Sequence, residues 1–242
     1  MKVLTFNIHK GFDWTSRRLT IRTLKKQLEI IHPDLVFLQE VVGENLKLEK
    51  SEPGWVENQF EFLADQLWSE FAYAKNAVYD QRHHGNVILS RFPILESKQI
   101  DISTNKLEQR GVLFAKIDHP KKNIDCYCVH LDLSHKGRKK QYRELSKILK
   151  QNSDSTTPLV LAGDFNDWNK KACEFLSNEN QLTEIFKALT GQYAKTFPSI
   201  KPILSLDRIY TRNLNYHSCQ VLDSKSWRSL SDHLALYMEV DL

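Results

Sequence analysis

The sequence predicts an α/β protein in which two packed β-sheets carry helices on their outside. Three observations lead there. Short apolar runs recur along the chain, amphipathic helical patterns separate several of them, and no repeat, low-complexity tract or Pro/Gly/Ser linker divides the 242 residues. A chain of this length with 41% hydrophobic and 26% charged residues can bury a sizeable core, so a single domain over 1–242 is expected.

The elements follow in order. Lys2 to Phe6 reads as a strand. Ile21, Leu24, Leu28 and Ile31 recur at helical spacing, and Pro33 ends that helix. Asp34 to Gln39 is an apolar strand that runs into Glu40. Phe60, Leu63, Leu67 and Phe71 predict a second amphipathic helix. Strands are expected at Val87 to Ser90, Gly111 to Ile117 and Ile124 to Leu131. A basic helix should run from about Arg138 to Lys150 with Tyr142, Leu145 and Leu149 facing inward. The apolar run from Pro158 to Ala162 reads as a buried strand, and a helical stretch follows from Lys171 to Leu189. Arg208 to Thr211, Ser218 to Leu222 and Leu234 to Val240 close the chain as short strands.

Charge and composition exclude some function classes. The net charge of +4 permits an anionic substrate without demanding one, whereas a sequence-independent nucleic-acid binder is usually more basic. Polar Asn7, His9 and Lys10 interrupt any leader-like apolar core, and no apolar run approaches membrane-spanning length. Cys126 and Cys128 share a strand face, and no second Cys/His pair has zinc-ligand spacing. Together with Cys173 and Cys219 they read as reduced thiols of a cytoplasmic protein.

The chemistry concentrates where strands end. Asn7 follows the first strand and Glu40 the second. Asn86 and Arg110 precede strands. His130 and Asp132 end another. Asp164 and Asn166 emerge two residues apart from Pro158–Ala162, Asp207 opens a late strand, and Asp232 with His233 opens the last. Singly, each reads as a turn or a capped end, since Asx residues favour turns. As a set, carboxylates, amides, an arginine and two imidazoles suit hydrolysis assisted by a hard metal ion.

The ordered motifs Thr5-Phe6-Asn7, Leu38-Gln39-Glu40, Gly85-Asn86, Arg110-Gly111, His130-Leu131-Asp132, Gly163-Asp164-Phe165-Asn166, Leu206-Asp207 and Ser231-Asp232-His233 resemble the endonuclease/exonuclease/phosphatase superfamily. The resemblance runs from Asn7 to His233 and is nearest to a deoxyribonuclease- and sphingomyelinase-like pattern, in a bacterial cytoplasmic branch. It implies a four-layer α/β sandwich, two mixed sheets face to face with helices outside. It also implies a phosphodiesterase dependent on Mg²⁺ or Mn²⁺ that hydrolyses by in-line attack of an activated water. Glu40 would be the principal metal ligand, with Asn7 and Asp232 close to the ion. Asp164 and Asn166 would hold and activate the water, His130 and His233 would serve the phosphate, and Asp207 would orient His233. Asn86 and Arg110 would bind substrate. His9 departs from the family, where several nucleases carry Asp or Asn.

Other features weigh less. His83-His84 is either a substrate-side loop or a turn. Lys136 to Lys140 with Arg143 reads as a solvated helix start, and Glu44, Glu49, Glu52 and Glu57 oppose a continuous basic groove. Trp168 is the best stacking candidate for a substrate. The substrate class stays open between nucleic acid, phospholipid headgroup and small diester, with a short or small diester favoured. The alternatives are a phosphomonoesterase of inositol-phosphate type and a non-catalytic binding module. No proposed catalytic position has become apolar, which disfavours the module.

Overall fold

The computed structural model describes residues 1–105 and 109–242. In chain order its elements are β1 (Lys2–Asn7), α1 (Ile21–Ile31), β2 (Leu35–Asn45), α2 (Leu46–Ser51), α3 (Gln59–Ala64), β3 (Glu70–Tyr79), β4 (Arg82–Ser90), β5 (Ile94–Asp101), β6 (Gly111–Ile117), β7 (Ile124–His130) and α4 (His135–Asn152). They continue with β8 (Leu159–Asp164), α5 (Ala172–Asn180), β9 (Thr183–Glu184), α6 (Ile185–Thr190), β10 (Asp207–Arg212), β11 (Asn215–Leu222), α7 (Lys225–Arg228) and β12 (Ala235–Asp241). Two six-stranded mixed sheets result, ordered β11-β12-β1-β2-β4-β3 and β5-β6-β7-β8-β10-β9.

Strand side chains alternate between two apolar environments, so the central strands are buried on both faces. In β1 and β2, Val3, Leu35 and Phe37 meet Cys126, Val160 and Ile209 of the other sheet. Their neighbours Leu4, Val36 and Leu38 point outward into a cluster with Leu24 and Leu28 of α1 and Phe60 and Leu63 of α3. On the opposite side, Tyr127, Val129 and Leu161 pack against Tyr142, Leu145 and Leu149 of α4 and Leu176 of α5. Helix, sheet, sheet and helix thus form four layers, as the resemblance implied. Among the described residues, no helix is long and apolar enough to cross a membrane.

Two sequence expectations need correction. The helix drawn through Phe60, Leu63, Leu67 and Phe71 ends at Ala64, and Phe71 lies in β3. Phe60 does pack on Phe71 and stack on Tyr73, with ring centroids 5.3 and 4.3 Å apart, but those rings come from a strand. The helix from Lys171 to Leu189 is broken at Gln181, whose left-handed φ of 55° caps α5. Thr183–Glu184 then pairs with β10, and Glu184 caps α6 by accepting from the Lys187 N–H at 2.7 Å. The edge strand β5 escaped notice because most of it is exposed and carries no apolar alternation.

Parallel pairing of β1 with β2 and of β7 with β8 brings four strand ends to one rim of the sandwich. The antiparallel partner β10 contributes its first residue to that rim. Gly163, just before Asp164, cannot be replaced easily: its φ is 145°, and a Cβ there would lie 2.0 Å from the Val129 carbonyl oxygen.

Glu184, on the edge strand β9 opposite Tyr210, makes the fold's stability depend on pH. One of its carboxyl oxygens, Oε1, is buried without a hydrogen bond. Burial pushes the group up to about 7, against the opposing Lys187 N–H and Arg208. A carboxyl raised in the folded state gives stability that is complete below its unfolded value near 4.5 and is lost as pH rises through about 7. Glu184→Gln keeps the cap without the charge. Urea unfolding should show the variant gaining on the order of 2 kcal/mol at pH 8 and nothing at pH 4. Equal stabilities at pH 8 would contradict this reading.

Candidate active site

Register alone sets three ionisable side chains side by side. His130 ends β7 opposite Asp164 of β8, and Asp164 lies opposite Asp207 of β10. All three are buried. His233, just before β12, reaches across from the other sheet, and its Nδ1 lies 2.9 Å from Asp207 Oδ2. Its Nε2 lies 3.7 Å from Asp164 Oδ2. Ligand atoms of Asp164, Asp207 and His233 all fall within 4.8 Å of one another.

Asp164 is the hub. Its Oδ2 accepts from Asn7 Nδ2 at 3.1 Å and has His130 Nε2 at 3.4 Å. Its Oδ1 accepts from the Asn166 N–H at 2.9 Å. Asn166 adopts a left-handed φ of 47°, and its side chain donates to the Leu131 carbonyl at 3.0 Å, which fixes the turn after β8. Burial raises the Asp164 carboxyl, with nearby Asp207 adding to the rise and His233 and the hydrogen bonds opposing it. For His233, burial favours the neutral ring, but Asp207 and Asp164 outweigh it and the imidazole is shifted upward. His130 is shifted well below the ordinary histidine range, first by burial and then by Arg110. One ring is therefore held cationic and the other neutral beside the same carboxylate.

Glu40 belongs to β2, yet it interrupts the ladder. Pairing with β4 slips between Leu38 and Val41, and Glu40 has φ of 57°. Such a bulge re-aims a side chain that regular pleating would have placed elsewhere. Lys10, in the turn after β1, also has φ of 57°, and its Nζ lies 2.9 Å from Glu40 Oε2. Left-handed backbone costs a non-glycine residue on the order of 1 kcal/mol, so two such residues facing each other mark a constrained place. Burial works to raise the Glu40 carboxyl, but the Lys10 ammonium holds it well below the usual carboxylate range. A pocket of about 290 Å³ opens beside Glu40, lined in part by Lys10, Tyr79, Arg82, His83, His84 and Arg110. Burial pushes His84 down to about 4 despite Glu40.

The remaining predicted residues are placed differently. Asp232 lies at the edge of the cluster, its Oδ1 3.8 Å from His9 Nδ1, and Ser231 ties that segment to β1 through the Asn7 carbonyl at 2.7 Å. Asn86 donates to the carbonyls of Gly111 and Cys128 at 3.2 and 3.3 Å, so its amide links the two sheets. Arg110 lines the Glu40 pocket. Asp132 anchors the start of α4, accepting from the Ser134 N–H at 2.6 Å.

Sequence reading passed over Lys10, Phe197 and Arg208. Phe197 packs against His233 with centroids 5.0 Å apart, and Trp168 meets Phe197 edge-on at 6.5 Å. With exposed Ile200 and Ile203 in the turn that follows Phe197, they give the site an apolar rim. Arg208 is fully buried, donates to the Ser205 and Asp207 carbonyls at 2.6 and 2.9 Å, and lies 3.5 Å from Asp167.

The family model for the endonuclease/exonuclease/phosphatase family matches residues 4–233. The chain belongs to that family. Members of the family are hydrolases acting on phosphoesters. Over its whole length the chain is 42% identical to the YbhP protein of Escherichia coli strain K12, covering 96% of that protein. It shares its fold with D. rerio TDP2 complexed with a single-strand DNA product, at TM-score 0.73 and 17% identity over 100% of this chain and 99% of that one. A Bacteroides thetaiotaomicron mannosyl-6-phosphatase matches at TM-score 0.76 and 16% identity, with both chains fully covered.

The Asp207–His233 bond gives a direct test. Asp207→Asn keeps the shape but no longer anchors a cationic imidazole. Hydrolysis of a chromogenic phosphodiester should fall about 10²- to 10⁴-fold, with the circular dichroism spectrum unchanged. Wild-type turnover in the variant would remove His233 from the chemistry.

Proposed function

We propose that this protein is a divalent-metal-dependent phosphodiesterase that hydrolyses a short or small diester by in-line attack of water. The observation that carries the reading is the convergence of Asn7, His130 and His233 on one buried Asp164 carboxylate, with His233 anchored by Asp207.

Asp164 is the proton acceptor. Its raised affinity for a proton suits it to take one from water as the water oxygen bonds to phosphorus. The bond from phosphorus to the leaving alcohol then breaks, and that oxygen is protonated from solvent. His233, held cationic by two carboxylates, and Arg110 offer donors to the non-bridging oxygens, where negative charge gathers. Asn7 orients Asp164, and Asn166 fixes the backbone turn that presents it.

Glu40 fits a hard metal ion. Its Oε2 is closed off from solvent and already faces a cation, the Lys10 ammonium at 2.9 Å. Glu40, Asn7 and Asp232 supply the oxygen donors that Mg²⁺ or Mn²⁺ prefers. When bound, such an ion supplies Lewis-acid neutralisation of charge on the phosphoryl group.

The apolar rim of Trp168, Phe197, Ile200 and Ile203 beside His233 favours a diester in which one alcohol presents a planar or apolar group. The fold neighbours include one enzyme on a DNA product and one named as a sugar phosphatase, so the diester preference is tested against both outcomes. With Mg²⁺, bis(p-nitrophenyl) phosphate should be cleaved at least about tenfold faster than p-nitrophenyl phosphate, and EDTA should abolish both activities. Faster monoester cleavage would make the protein a phosphatase. Rapid, salt-sensitive cutting of plasmid DNA would keep the chemistry and replace the small substrate by a long polyanion.

A further inference from the structure

The turn after β1 is built at some expense to place one side chain. His9 and Lys10 both have positive φ, 48° and 57°, where glycine would serve more easily. Gln59, fully buried, clamps the turn. Its Nε2 donates to the Lys10 carbonyl at 3.0 Å, and its Oε1 accepts from the Val42 N–H at 3.0 Å, two residues beyond Glu40. Gly11 leaves no room for a Cβ, which would sit 2.7 Å from Gln59 Nε2. One buried amide thus couples the Lys10 turn to the Glu40 bulge. The ammonium is brought to Glu40 Oε2, while 43% of the Lys10 side chain remains exposed at the pocket wall.

We propose that Lys10 stands in for the metal ion on Glu40 and, when the ion takes that carboxylate, delivers its ammonium to the substrate phosphate. The inference rests on the reading of Glu40 as a metal ligand. A carboxylate oxygen closed off from solvent needs a cation, and the Lys10 ammonium, 2.9 Å from Oε2, supplies it in the metal-free protein. Two cations cannot share Glu40 without repulsion, so occupation by a divalent ion displaces the ammonium. Its long flexible stem and half-exposed setting let it turn into the pocket that also holds Arg110, Arg82 and His84. There it adds a mobile positive charge on the substrate side, present only once the metal site is filled.

Calorimetric titration of the metal-free protein with Mn²⁺ tests the first half, and titration of the Mn²⁺-loaded protein with inorganic phosphate tests the second. Lys10→Met should bind Mn²⁺ roughly tenfold more tightly than wild type, because a competing cation is gone, and should bind phosphate several-fold more weakly. Lys10→Gly, which suits the left-handed backbone, should do the same and guards against misfolding of the Met variant. Unchanged or weaker Mn²⁺ binding in both variants would overturn the stand-in role and leave Glu40 as a ligand. Tighter Mn²⁺ with unchanged phosphate affinity would overturn delivery to the substrate. Absence of Mn²⁺ binding in wild type would overturn the metal reading itself, and the inference with it.

Discussion

A carboxylate buried without enough compensation is among the most expensive things a fold can contain, and Asp164 sets that condition here. It is closed off from water at the end of a central strand, between a second carboxylate and two imidazoles. Asn7 from the opposite sheet, the Asn166 backbone and His233 each meet part of the cost. Asn7 and His233 lie far from Asp164 in sequence, so the cluster exists only when the sheets are packed in register. The four-layer architecture provides that register: β7, β8 and β10 bring His130, Asp164 and Asp207 abreast, and β1 and β12 bring Asn7 and His233 from across the sandwich.

The second constraint is backbone conformation. Glu40, Lys10, His9 and Asn166 all hold positive φ around the same rim. Strained geometry persists where surroundings over-determine it, and here the surroundings are visible: Gln59 braces the Lys10 turn, and the β2 bulge is closed by resumed pairing from Val41 to Asn45. The rim thereby acquires two unlike sides. One is polar and cationic around Glu40 and Arg110, and the other is apolar around Phe197 and Trp168.

Much of this was legible in the sequence, and what was not has physical reasons. The central strands announced themselves because burial on both faces demands unbroken apolar runs, as in Leu35 to Leu38 and Leu159 to Ala162. The polar residues that end them were legible because turn chemistry and catalytic chemistry use the same residue types. The β3–β4 hairpin was half missed, since Phe71 and Tyr73 meet Phe60 across space at a spacing that imitates a helix. The helix after Lys171 was drawn too long because nothing local signals that Thr183–Glu184 will pair with β10. Lys10 and Arg208 escaped for a different reason. Their positive charge reads as solvent-facing, and only tertiary contacts turn one toward Glu40 and bury the other behind Asp207. Asn86 was legible as special, but its cross-sheet hydrogen bonds depend on packing that no local pattern encodes.

Two places compete for a divalent ion: the oxygen donors around Glu40, and the close cluster of Asp164, Asp207 and His233. The division of labour drawn here reserves the first for the metal and the second for proton transfer and phosphate binding. Anomalous diffraction from crystals soaked in Mn²⁺ separates the two directly. The expected result is a peak within about 2.5 Å of a Glu40 carboxylate oxygen. A peak seated on Asp164, Asp207 and His233, with none at Glu40, would contradict the assignment of roles across the whole site.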